Sequence, residues 1–262
     1  ENNKEILERN PIETSFFKIN AKNMIDMSNG FAIKYTENAK FILALRFKHF
    51  PMLIYGDNSL IQSLVLNLLK NNLTFDRILA QESTANSFIN YYEKVNGGNH
   101  QLIHTMDIMK CTQINHNNID ISDVETAKLT DTPEIAELIH FFTLHVHNHA
   151  EPISTYIEDV RNNIQNYALI RADNKIVSMA KKTREDEYIC AISNVYTREN
   201  YRCRGFSKKI IIYLTKQILD NGKIPYLYVD KTNPISNHLY SSIGYKYISP
   251  QMEIKYLSVS KK

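Results

Sequence analysis

The chain has 262 residues, enough for one large domain or two small ones. Hydrophobic residues make up 43%, enough for an ordinary packed core, and a formal net charge of +3 is too mild to recruit nucleic acid or a membrane surface. Three cysteines, Cys111, Cys190 and Cys203, form no C-x-x-C pair; with no spanning apolar run and no signal peptide, a cytoplasmic protein without disulfides or structural zinc is expected.

In chain order, Ile6 to Arg9 begins a helix that Pro11 interrupts, and Asn20 to Met27 is a weaker helical stretch. Phe31 to Tyr35, Phe41 to Phe47 and Met52 to Tyr55 read as strands. Gly56-Asp57-Asn58 is a turn with a ready cap, and Leu60, Ile61, Leu64, Val65 and Leu68 then mark an amphipathic helix. Phe75 to Ala80 is a short strand, Ser83 to Val95 a helix closed by Gly97-Gly98, and His100 to Met109 a strand. The polar stretch Cys111 to Asp120 lacks periodicity and reads as a linker, dividing the chain into domains 1–122 and 123–262.

Past the linker, Val124 to Leu129 reads as a strand. Asp131-Thr132-Pro133-Glu134 starts a helix running to about Leu144. Ser154 to Ile164 is a second helix. Tyr167 to Ala172 and Lys175 to Lys182 form a hairpin around Asp173-Asn174, residues that tolerate positive φ. A strand over 187–197, a helix over 206–221 and a strand over 226–230 follow. A helix over 235–243 and two strands near 246–249 and 252–257 close the chain.

The order strand, turn, helix, strand, helix, strand thus occurs twice, once in each half. Two readings of the N-terminal half are open: a degenerate copy of the second half, or an unrelated α/β cap domain. Under the first, the early copy is expected to bind no cofactor. Asp57 stands in its turn where the second copy has Arg202 and Arg204, and a carboxylate repels a pyrophosphate.

The chemistry concentrates in Asn194 to Ser207, N-V-Y-T-R-E-N-Y-R-C-R-G-F-S. A strand, a basic loop ending in glycine and a helix start gather free backbone N–H groups and the positive end of a helix dipole, which suits a phosphate. The spacing is neither a P-loop nor a dinucleotide fingerprint. Arg202-x-x-Gly205-x-Ser207 resembles the pyrophosphate loop of the GNAT acetyltransferases, Q/R-x-x-G-x-G/A. A second block, Asn233-x-x-Ser236-x-x-Leu239-Tyr240 followed by Gly244-Tyr245, looks like that family's N-x-x-A/S-x-x-L-Y-x-x-x-G-F/Y helix. The likeness is strong over about 165–257 and closest to one bacterial subgroup of GNAT enzymes.

The resemblance implies an α/β (α+β) fold, a mixed central sheet flanked by helices, and acetyl-CoA as cosubstrate. Arg202 and Arg204 would hold the pyrophosphate, with Cys203, Gly205, Phe206 and Ser207 completing the loop. Ser207 replaces the family's Gly or Ala, and Cys203 stands where the subgroup often has Gly; a positive φ there would strain a cysteine. Val195, Tyr196 and Thr197 would bind the pantetheine arm as an added strand does, one N–H polarising the thioester carbonyl. Asn233 and Asn237 would hydrogen-bond the pantetheine amides, or serve only as helix-cap residues.

Tyr240 is the candidate general acid for the departing thiolate, and Glu187 the candidate base, with Glu185 and Asp186 as alternatives. His140, His145, His147 and His149 cluster, but with neither cysteine nor H-E-x-x-H nearby no metal is expected; the resemblance implies that they would shape the acceptor pocket or serve as a base. The function implied is transfer of acetyl from acetyl-CoA to a primary amine by direct attack, with no covalent enzyme intermediate. The acceptor would be a small molecule or a peptide, and a homodimer is compatible. The rival is a non-catalytic acyl-CoA-binding regulatory module.

Overall fold

A computed structural model of the chain describes residues 4–23, 30–47, 50–115 and 118–258. These residues form two compact units. Unit 1 comprises 1–108, 229–234 and 247–262; unit 2 comprises 109–228 and 235–246. The sequence division at 122 differs from this, because unit 1 takes in two C-terminal segments.

Unit 1 contains α1 (Lys4–Arg9), α2 (Ser15–Asn23), β1 (Gly30–Glu37), β2 (Lys40–Phe47) and β3 (Met52–Gly56). It continues through α3 (Ile61–Lys70), β4 (Arg77–Gln81), α4 (Glu82–Asn96) and most of β5 (Asn99–Cys111). Met24 to Met27, the end of the second helical stretch expected from sequence, lies outside the described residues. Strands β2, β3 and β4 are near-continuous apolar runs because both faces are buried. Ile42, Ala44, Met52, Ile54, Ile78 and Ala80 pack on one side with Leu64, Leu68, Phe88 and Ile89 of α3 and α4. Leu43, Leu45, Leu53 and Leu79 alternate to the other side, against Phe17 of α2.

Unit 2 opens with β6, which is only Glu125–Thr126 rather than a strand to Leu129. Asp131 is the reason: its carboxylate accepts the Lys128 N–H at 2.8 Å and draws 129–131 into a 3-10 turn. Then come α5 (Thr132–His147), α6 (Ser154–Asn162), β7 (Tyr167–Ala172), β8 (Lys175–Thr183) and β9 (Ile189–Thr197). The hairpin turn holds Asp173 at φ 50° and Asn174 at φ 59°, the two left-handed residues expected there. Next are α7 (Phe206–Asp220), β10 (Ile224–Asp230) and α8 (Pro234–Ile243). Strand β11 (Tyr245–Leu257) is one strand where sequence suggested two, and it pairs antiparallel with β4 in unit 1 from Gln251 to Lys255.

Within unit 1 the strands are ordered β1-β2-β3-β4-β11-β5, and within unit 2 β10-β9-β8-β7-β6. Helices α5 and α6 cover one face of β7 and β8 through Ile135, Leu138, Ile139 and Val160. Helix α7 packs on β7, β8 and β9, with Ile210, Ile211, Leu214 and Ile218 buried along its length. Both halves carry a strand, a turn, a helix, a parallel strand, a helix and a strand. The parallel pairs are β3 with β4 and β9 with β10. Among the described residues no helix is long and apolar enough to cross a membrane.

Candidate cofactor-binding site

Parallel pairing of β9 with β10 covers only Ile189 to Ala191 against Ile224 to Tyr226. Strand β9 then runs on to Thr197 and β10 to Asp230, and the register gives these later residues no mutual pairing. The backbone of Val195, Tyr196 and Thr197 therefore has no β10 partner. Asn194, at φ 52°, sits where the β8–β9 register shifts between Met179↔Tyr196 and Lys181↔Ser193. This bulge re-aims the strand end, as bulges beside binding sites do. An asparagine inside an otherwise β-branched and apolar run is the one sequence signal that could have marked it.

The loop after β9 makes a 3-10 turn over Glu199–Tyr201 and then reverses through Cys203, at φ 62°, and Gly205, at φ 79°. Gly205 is the N-cap of α7, and no side chain caps that end. The first helical bond is Lys209 N–H to Gly205 O at 3.1 Å. The amides of Phe206, Ser207 and Lys208 therefore precede the helix's own ladder. A Cβ built on Gly205 would meet nothing within 4 Å, so the surroundings of that residue are open. The donors, the dipole and the open approach fit a pyrophosphate.

Arg202 and Arg204 are exposed beside this opening. Arg202 donates from Nε to the Thr197 carbonyl at 3.2 Å and lies over the Tyr196 ring. Arg204 donates to the Asn200 carbonyl at 3.1 Å and lies over the Tyr201 ring. Unit 1 is built differently at its matching turn. There Asp57 accepts the Ser59 N–H at 2.9 Å and its hydroxyl at 2.6 Å, and Lys40 stands 3.6 Å away. The hydrogen bonds from Ser59 hold the Asp57 carboxyl below the usual range, so it stays ionised. A cavity in unit 1, where β3 and β4 part, is lined by Glu13, Phe16, Phe17, Tyr55, Gln81 and Gln251; none of its lining residues is in the basic loop.

Tyr240 is buried on α8, its ring 6.0 Å from that of Tyr245. Burial pushes its phenol up to about 12. Asn237 is half-buried on the same helix, whereas Asn233 is exposed just before it and belongs to unit 1. Glu187 is not brought to the strand end. It is exposed before Ile189, the first residue of β9, up to about 30 Å of extended chain from Tyr196. Its alternatives are engaged at that same end: Glu185 pairs with Lys223 at 2.5 Å, and Asp186 accepts the N–H groups of Tyr188 and Ile189.

His140 bonds the Glu151 carbonyl through Nδ1 at 2.8 Å, and His145 and His149 are exposed. Among the described residues no three His, Cys, Asp or Glu side chains are placed to hold a metal. Arg198 lies within the Asn194–Ser207 stretch, but sequence reasoning gave it no role. Its guanidinium donates to the Ile176 carbonyl at 2.8 Å and to Glu137 at 2.6 Å.

This architecture is shared with solved structures. A GNAT-family protein from Novosphingobium aromaticivorans aligns over 96% of this chain and 97% of its own, with 17% identity and a TM-score of 0.54. An acetyltransferase of the GNAT family from Colwellia psychrerythraea covers 94% of this chain and 89% of its own, at 11% identity and a TM-score of 0.61. A GCN5-related N-acetyltransferase from Sphaerobacter thermophilus covers 86% and 80%, at 14% identity and a TM-score of 0.56. The fold is that of the GNAT acetyltransferases. Within it, residues 166–254 match the family model described as FR47-like protein, a span holding β9, β10, the basic loop and Tyr240. No curated protein matches the chain.

Proposed function

We propose that the chain is an acetyl-CoA-dependent N-acetyltransferase whose cosubstrate site lies in the FR47-like region. The observation that carries this reading is the loop itself. An uncapped helix start behind Gly205, two arginines beside it and a strand end at Val195 to Thr197 that pairs with β8 but not with β10 occur together. Phosphates would take the amides of Phe206 to Lys208 and the two guanidinium groups. The pantetheine amides would take the strand end as an added strand does, helped by Asn237.

The acceptor is a primary amine on a small molecule or a peptide. Its nitrogen attacks the thioester carbonyl, the C–N bond forms, and the C–S bond breaks to release the thiolate. A backbone N–H near the β9 bulge would polarise the carbonyl oxygen. Tyr240 keeps its proton at any physiological pH, so it serves the sulfur as a hydrogen-bond donor. With Glu187 at the other end of β9, the amine reacts from its neutral form and sheds its proton to solvent.

A second reading has its own support. A strand end whose neighbouring carboxylates, Glu134 and Glu137, are engaged by Arg198 also suits an acyl-CoA-binding module that regulates a partner. Incubation with acetyl-CoA and a panel of primary amines separates the two. Release of free coenzyme A that depends on the amine supports the transferase. Binding of acetyl-CoA with no release above the rate in buffer, for every amine, supports the module.

A further inference from the structure

Resting on the cosubstrate site proposed above, we infer that Arg198 is a positioning residue that fixes the strand end against the phosphate loop. It is the single residue between Thr197, the last of β9, and the turn that begins at Glu199. Its main-chain N–H donates to the Val177 carbonyl at 2.9 Å. Its Nε donates to the Ile176 carbonyl at 2.8 Å. One terminal nitrogen donates to Glu137 at 2.6 Å and to Glu134 at 3.4 Å. Glu134 in turn accepts the Ile176 N–H at 2.8 Å.

One guanidinium thus ties the end of β9 to the start of β8 and to the first turns of α5. The anchors are firm, since Ile176 and Val177 are fully buried at 0% exposure. Two further ties run beside it. Thr197 and Ser178 share a hydroxyl hydrogen bond at 2.8 Å, and Tyr201 donates to Asp173 in the hairpin turn at 2.8 Å.

The same contacts show what Arg198 does not do. Two carboxylates already neutralise it, and its donors point to protein acceptors. It therefore differs from Arg202 and Arg204, which are exposed beside the opening. Its effect reaches the ligand through geometry. Acetyl-CoA must meet the strand end and the loop at once, and a displacement of about 1 Å between two such elements is enough to cost much of the benefit. Lysine cannot take its place fully, because a single ammonium cannot serve the Ile176 carbonyl and the Glu137 carboxylate in one plane.

The test uses the full chain with Arg198→Ala, Arg198→Lys and Glu137→Gln. Calorimetry measures affinity for acetyl-CoA and for S-acetylpantetheine, which lacks the pyrophosphate. Arg198→Ala is expected to weaken acetyl-CoA binding about tenfold while leaving the fragment nearly unchanged, so the ratio of the two affinities collapses. Arg198→Lys should recover part of that ratio, and Glu137→Gln should lower it by a smaller factor. A purely structural role would weaken both ligands alike. If Arg198→Ala keeps the parent's ratio, the inference is wrong. If that variant does not fold, an unchanged ratio in Glu137→Gln overturns it instead. A parent chain that binds no acetyl-CoA removes the proposed site and this inference with it; a parent that binds, with variants that keep its ratio, removes this inference alone.

Discussion

Arg202 donates from Nε to the carbonyl oxygen of Thr197 at 3.2 Å, so the first arginine of the basic loop is fastened to the last residue of β9. One terminal nitrogen also lies 3.8 Å from the exposed Glu199 carboxylate, and the Tyr196 ring beneath the guanidinium limits its swing. Arg202→Lys keeps the charge and loses the planar fork. It is expected to weaken acetyl-CoA binding by about threefold to tenfold in a calorimetric titration, on the scale of one charge-assisted hydrogen bond. Equal affinity would show that only the charge matters at this position.

Tyr240→Phe keeps the ring that packs on Tyr245 and removes the phenolic proton. Among the described residues its hydroxyl makes no hydrogen bond, so the folded chain should lose less than about 1 kcal/mol. Single-turnover transfer to an accepted amine should slow by about 10²-fold, because the departing sulfur loses its donor. A parent-like rate in that assay would make Tyr240 a packing residue.

Cys203 holds a left-handed backbone, at φ 62°, on the exposed surface of the loop. That conformation costs a non-glycine residue about 1–2 kcal/mol, while glycine at the same place gives back part of the gain through a more flexible unfolded chain. Cys203→Gly should therefore raise stability by up to about 1 kcal/mol and leave acetyl-CoA affinity unchanged. A fall in the thermal midpoint would mean that the thiol side chain contributes packing that outweighs the strain.

Glu253 is buried on β11 in unit 1, 2.7 Å from Arg77 and 3.2 Å from His104. Burial by itself would raise its carboxyl, but His104 and then Arg77 outweigh that and hold it below the ordinary carboxylate value. A lowered folded-state value means that this stabilisation is present above the unfolded value of about 4.3 and is lost as pH falls through the lower one. Glu253→Gln should cost about 2 kcal/mol at neutral pH and much less near pH 3. A destabilisation that stays constant over that range in denaturant melts would contradict the ion-pair account.

Local features were legible in the sequence, and long-range ones were not. The Asp173-Asn174 hairpin and the helix over 206–221 are set by turn chemistry and by helical period, and both stand where expected. The basic loop was legible for the same reason, since its glycine and arginines lie within four positions. Two strands were expected near 246–249 and 252–257, yet β11 runs through Pro250 between them, and its pairing with β4 begins at Gln251, just past the residue that lacks an N–H. The return of residues 247–257 to unit 1 depends on pairing with residues far away in sequence, which no local pattern records. Arg198 is of that kind too, because its carboxylate partners are separated from it by 61 and 64 residues. Glu187 was read as the first residue of the central strand, where the resemblance to the family would put a base. The strand begins two residues later, because Asp186 accepts the Tyr188 and Ile189 N–H groups and so sets its start.

The most direct measurement is calorimetric titration of acetyl-CoA into the parent chain and into the Arg202→Ala/Arg204→Ala double variant. The parent should bind one equivalent. The double variant should bind more weakly by about 2–4 kcal/mol, the loss of two charge-assisted phosphate contacts, with an unchanged thermal midpoint. Unchanged affinity in the double variant, or no binding by the parent, would contradict a pyrophosphate site at this loop.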